Sequence, residues 1–203
     1  MILTASYLLS ALFTSKWINA IQVVLFTAAG LIAIRDSRLR RRYSGVAIAT
    51  GLLVSLLVIV VALRQGGDVG RGVASAWTAA LLLLIAGAIV RQVLALSEVT
   101  MQSIYGAIST YLIIGLMFAA LYSALYYLHS HMFFANGRPG HTTADFQYFS
   151  FTTLTTLGYG DFTAADSGGR AIAMLEAMTG QIFLATLVAK LVASFRPSGQ
   201  GAR

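Results

Sequence analysis

Thr155-Thr156-Leu157-Gly158-Tyr159-Gly160-Asp161 lies between two long apolar runs, residues 104–128 and 168–194. Ahead of it, Thr142-Thr143-Ala144-Asp145 has the form of a helix start, with a hydroxyl cap and an acid in the first turn. Phe146-Gln147-Tyr148-Phe149-Ser150-Phe151-Thr152-Thr153-Leu154-Thr155 then has room for about three helical turns. Such a helix is too short to cross a hydrocarbon core of ~30 Å, so it must dip in and return. Non-helical backbone at that depth is tolerated only where protein buries it or it lines water. The stretch is neither a span nor an ordinary loop.

The rest of the chain has the composition of a membrane protein. Of 203 residues, 58% are hydrophobic and 10% charged, with a mean hydropathy of +0.78. A soluble domain of this length would leave large apolar patches in water. A crossing needs about 20 helical residues, and five runs qualify: 17–34, 44–63, 74–94, 104–128 and 168–194. A sixth, residues 1–13, reads as a short tilted span or an interfacial helix. It lacks the basic start and small-residue cleavage site of a signal peptide. Backbone groups in lipid must be satisfied within their own segment, so the runs are helices. The expected fold is an all-α membrane protein of five long transmembrane helices, a short N-terminal sixth and a re-entrant helix. There are no cysteines, which removes disulfides and thiolate chemistry. No paired acid, nucleophile–base set or phosphate loop is present, so no enzymatic activity is expected.

Orientation follows from the arginines. Arg35-Asp36-Ser37-Arg38-Leu39-Arg40-Arg41-Arg42 carries five positive charges in eight residues and marks a cytoplasmic loop. Counting spans from there puts 65–72 outside, 91–103 inside, 129–167 outside and 195–203 inside. Lys190, Arg196 and Arg203 near the carboxyl end agree. The net charge of +7 thus flanks apolar spans and suits lipid headgroups as partners; no nucleic acid is expected. The expected location is the plasma membrane, with the carboxyl end cytoplasmic.

The heptad at residues 155–161 resembles the selectivity-filter signature of potassium channels, with Leu157 where Val is commoner. Arg170 and Gly180 follow Asp161 by nine and nineteen residues, similar to the inner-helix arginine and hinge glycine of simple potassium channels. Tyr105-Gly106-Ala107-Ile108-Ser109-Thr110-Tyr111 and Leu175-Glu176-Ala177-Met178-Thr179-Gly180-Gln181 resemble prokaryotic members with extra helices before the pore. The firm likeness covers residues 104–194. It implies an N-terminal helical region at 1–98, a pore domain at 99–195 and a short tail at 196–203. It also implies a homotetramer, with K⁺ as permeant ion, no cofactor and no soluble partner. The filter would be Thr156, Leu157, Gly158, Tyr159 and Gly160, with K⁺ held at Thr156 to Tyr159.

The residue types suit that chemistry. A dehydrated K⁺ needs oxygens in place of its hydration shell, and stacked rings of backbone carbonyls with the Thr156 hydroxyl would supply them. Pointing successive carbonyls one way requires backbone angles that a Cβ resists and that Gly158 and Gly160 permit. One chain supplies one filter strand, so four are needed around an axis.

Supporting roles are expected for Thr152, Thr153, Asp161 and Glu176. Glu176 falls within a span, where an ionisable group is costly; it is expected behind the filter near Thr152 and Thr155, or else solvated at the outer interface. Phe149 and Thr152 stand where many family members carry Trp and either an acid or an apolar residue. Phe149 has no N–H, so Asp161 is expected to lack that strap, while Thr153 is within reach of the Tyr159 hydroxyl. Ala177, Gln181, Leu184, Val188 and Leu191 recur at helical spacing and line a cavity or pack between helices. Gly180 serves as a hinge or as a close-packing site. His129, His131 and His141 read as solvated loop residues. Residues 74–94 sit where a voltage sensor would, yet carry only Arg91, so weak voltage dependence is expected. The nine residues after Ser194 are too few for a ligand-binding domain. A non-conducting scaffold and a poorly selective cation channel are the rival readings.

Overall fold

The computed structural model describes residues 53–58, 60, 64, 67–95, 101–129, 133–135 and 142–194. They include four helices: α1 (Asp68–Ala95), α2 (Met101–His129), α3 (Thr143–Leu154) and α4 (Ser167–Ser194). Among the described residues there is no sheet, only an isolated antiparallel bridge between Phe134 and Ala164. Among the described residues, three helices are long and apolar enough to cross a membrane: Asp68–Arg91, Ser103–His129 and Ser167–Ala193. The expected runs 1–13 and 17–34, most of 44–63, the arginine cluster, His131, His141 and the tail lie outside the described residues.

α1 starts six residues before the apolar run that announced it at 74, so Asp68 to Gly72, expected in an outer loop, are helical. Charge ends a hydropathy run without ending a helix. Asp68 sits in the first turn, where the helix dipole favours an acid, and its carboxylate lies 3.9 Å from Arg71. Arg71 in turn covers the ring of Tyr127 at 5.7 Å.

α1 and α2 pack side by side through Leu82, Ile85 and Ala86 against Ile113 and Leu116. Gly72 allows the closest approach, since a Cβ there would lie 2.7 Å from Leu128 Cγ. Two hydroxyls meet across the seam, Ser75 and Ser123, at 3.0 Å. The segment 53–58 adds Val54 and Val58 against Ala74 and Trp77, whose indole donates to Ser55 Oγ at 3.1 Å.

The short helix expected after Thr142 is present as α3. Thr142 is its cap residue, and its N–H donates to Asp145 Oδ2 at 2.7 Å. α3 seats between α2 and α4 on an aromatic core of Tyr122, Phe133, Phe134, Phe146 and Phe149. Phe134 stacks on Phe146 at 5.4 Å and meets Phe149 edge-on at 5.2 Å. Ala135 N–H donates to Thr163 O at 2.8 Å and Ala165 N–H to Phe133 O at 2.9 Å. The two arms of the connection are thereby tied together over the start of α3.

Candidate functional site

Residues 155–161 leave the end of α3 and lie exposed on the chain's surface, although the helix behind them is half to fully buried. α3 closes with Thr155 N–H donating to Phe151 O at 3.1 Å and Thr156 N–H to Thr153 O at 2.9 Å. The Thr152 carbonyl then accepts two donors, Leu157 N–H at 2.8 Å and Gly158 N–H at 3.1 Å. Thr152 therefore meets the segment through its backbone; its hydroxyl turns back to the carbonyls of Tyr148 and Phe149, each at 3.0 Å.

Beyond that anchor the backbone alternates in hand. Thr156 has φ of 58°, Gly158 49° and Gly160 81°, and no other residue from 155 to 161 has positive φ. Alternation of this kind lets successive carbonyls face one side of the strand. Thr156 is the one non-glycine among the described residues in the left-handed region, a conformation costing about 1–2 kcal/mol for a residue with a Cβ. Its hydroxyl donates to Thr155 O at 2.7 Å.

The braces differ from those expected. Asp161 does have a partner from α3: the Tyr148 hydroxyl hydrogen-bonds to it. Phe149 itself gives Asp161 no strap, as expected of a ring without a donor: it turns inward to Tyr122 at 5.0 Å while its neighbour faces the segment. Tyr159 meets α3 at Tyr148. Its ring stacks parallel on Tyr148, with centroids 6.4 Å apart and planes 7° apart. Tyr148 also meets Phe162 at 5.7 Å. One tyrosine thus supports the segment at two residues.

Past Asp161 the chain enters α4. Asp166 Oδ1 accepts Gly169 N–H at 2.6 Å, capping the helix. Arg170 donates to Ala164 O at 3.1 Å and Ala165 O at 3.2 Å, fixing the return arm.

Glu176 is fully buried, at 0% exposure, so the solvated alternative is excluded. Its partners are Ser150 and Tyr122, not Thr152 and Thr155. Tyr122 donates to Oε2 at 2.6 Å, and Ser150 Oγ meets Oε1. Ser150 stands out in the sequence as the lone small polar residue in the run Phe146–Phe151; that contrast was the available signal. One turn on, Gly180 is buried against the end of α3. A Cβ there would lie 2.5 Å from the Leu154 carbonyl, which also accepts Tyr111 Oη at 3.3 Å.

Gln181, Leu184 and Val188 are exposed, and Ala177 and Leu191 half-exposed, along α4. His129 is exposed at the end of α2, and Arg91 is exposed four residues before the end of α1.

Three apolar helices, with a short helix and an exposed strand of alternating hand between the last two, define a helical, multi-pass membrane protein. A family model described as "Ion channel" matches residues 110–196, less than half of the chain; the match takes in most of α2, all of α3 and α4 and the strand between them, and leaves out α1. Over that stretch the chain is similar to ion channels of the pore-loop kind. No curated protein and no solved structure matches.

Proposed function

We propose that the chain is one subunit of a homotetrameric, potassium-selective channel that passes K⁺ down its electrochemical gradient. Thr156, Leu157, Gly158, Tyr159 and Gly160 form one quarter of the filter, and α3 is its re-entrant pore helix. The observation that carries this reading is the run of positive φ at Thr156, Gly158 and Gly160 in an exposed strand. A strand of alternating hand can present a column of carbonyls, which is the ligand set a dehydrated K⁺ requires. Exposure of that strand on a lone chain fits a site completed by three other copies.

Within this reading Thr152 anchors the filter through its carbonyl, and Tyr148 braces Asp161 and Tyr159 from behind. Asp161 places an acid at the outer mouth, where a ring of four concentrates cations. Gln181, Leu184 and Val188 face the cavity below. The arginines from 35 to 42 place the filter outside and the carboxyl end in the cytoplasm of a plasma membrane. The proposed transport is passive and includes no catalytic step.

The test is flux from vesicles holding the purified protein. K⁺ efflux should far exceed Na⁺ efflux, and Gly158→Ala should abolish the difference. Equal K⁺ and Na⁺ efflux from the unmutated protein would contradict the reading.

A further inference from the structure

Where α2, α3 and α4 meet, the buried oxygens outnumber the hydrogens their ordinary states provide. Ser150 Oγ lies 2.6 Å from Gly115 O and also within hydrogen-bond distance of Glu176 Oε1. An O···O approach of this length requires a hydrogen between the two atoms. A serine hydroxyl has one hydrogen, and a backbone carbonyl has none. The contact with Gly115 therefore takes the Ser150 hydrogen, and the contact with Glu176 needs one from the other side.

We infer that Glu176 carries its proton and donates from Oε1 to Ser150 Oγ, which donates to Gly115 O. Tyr122 donates to Oε2, the remaining acceptor. Every oxygen in the chain then has its hydrogen, and one neutral acid on α4 links α3 and α2. The surroundings agree. Among the described residues, Tyr122 on α2 and Ser150 on α3 hydrogen-bond to it and Tyr111 on α2 interacts with it, and all three are uncharged side chains. On its own helix, Arg170 is turned to the carbonyls of Ala164 and Ala165. A buried carboxylate without a cation would be costly, whereas a carboxylic acid is both donor and acceptor.

The role follows from the position. Ser150 lies on the helix whose end, at Thr152, anchors the segment 155–161. Glu176 is thus a positioning residue for the filter, a role that rests on the proposed channel function; its protonation state does not.

The test compares the full-length protein with Glu176→Gln, Glu176→Leu and Ser150→Ala in vesicles. Infrared spectra at neutral pH should contain a protonated-acid C=O band that Glu176→Gln removes. Gln keeps one donor and one acceptor, so K⁺ flux should stay within about twofold of the parent, while Leu and the Ser150 variant should lose about tenfold or more. Absence of the acid band would overturn the inference. So would a Gln variant that fails as badly as Leu, because the charge would then matter. If Leu does not fold, Ser150→Ala decides the flux comparison. A parent with the band but no flux would instead sink the channel reading and leave the protonation state intact.

Discussion

At Gly158 the backbone holds φ of 49°, and an added Cβ meets nothing within 4 Å inside the chain. The cost of a side chain there is therefore conformational, about 1–2 kcal/mol per subunit, and it falls on the strand alone. Gly158→Ala should leave thermal unfolding in detergent nearly unchanged while K⁺ selectivity in vesicles collapses; a selective Gly158→Ala channel would show that the angle is not needed. Tyr148→Phe makes a complementary prediction. It deletes the hydroxyl on Asp161 and keeps the ring on Tyr159. Current should decline faster at low external K⁺, whereas unchanged decline would remove Tyr148 from the support. The unusual backbone of the heptad was legible in the sequence, because Gly158 and Gly160 mark where positive φ falls. Its braces were not. Adjacent helix positions point about 100° apart at 3.6 residues per turn, so attention to position 149 missed Tyr148, which faces the segment while Phe149 faces the core. The partners of Glu176 were missed for the same reason, since spacing locates a residue along α4 and not the neighbour across from it.

At the scale of elements, the junction of α3 and α4 is the tightest in the site. Gly180 presses on a backbone oxygen, Leu154 O, which cannot swing aside as a side chain can. Gly180→Ala should destabilise the fold by about 1–3 kcal/mol through overpacking, measured as a lower midpoint of thermal unfolding. A neutral Gly180→Ala would favour a hinge with space around it. α1 carries the second element-scale prediction. Arg91 is the one basic residue in its last two turns and lies near the end of the span. Each charge crossing the field is worth ~2.3 kcal/mol per 100 mV, so open probability should rise shallowly with voltage. A gating charge of several units per subunit would contradict this. The existence of α1, α2, α3 and α4 could be read from run length and from the cap at Thr142. Most of their ends could be read to within three residues, but the start of α1 could not: apolar runs mark the lipid-facing part of a helix, and α1 continues through Asp68 and Arg71 beyond it. The tie between Phe133–Ala135 and Thr163–Ala165 was equally hidden, because it pairs segments that neither periodicity nor turn residues connect.

For the whole molecule, α4 is the informative surface. Met174, Met178, Ile182, Val188 and Val192 all lie exposed along α4, which packs on α3 and α2 through its other residues. A face this apolar requires lipid or further copies of the chain. The proposed tetramer covers part of it and closes the strand at 155–161 into a ring. Light scattering of detergent-solubilised protein should give the mass of four chains, and a monodisperse monomer that still conducts would refute that assembly. The central claim is that this ring selects K⁺. The most direct measurement is the reversal potential of purified protein in a planar bilayer, with K⁺ on one side and Na⁺ on the other. The account predicts a potential that follows the K⁺ gradient as that gradient is varied. A potential near zero that ignores K⁺ would contradict it.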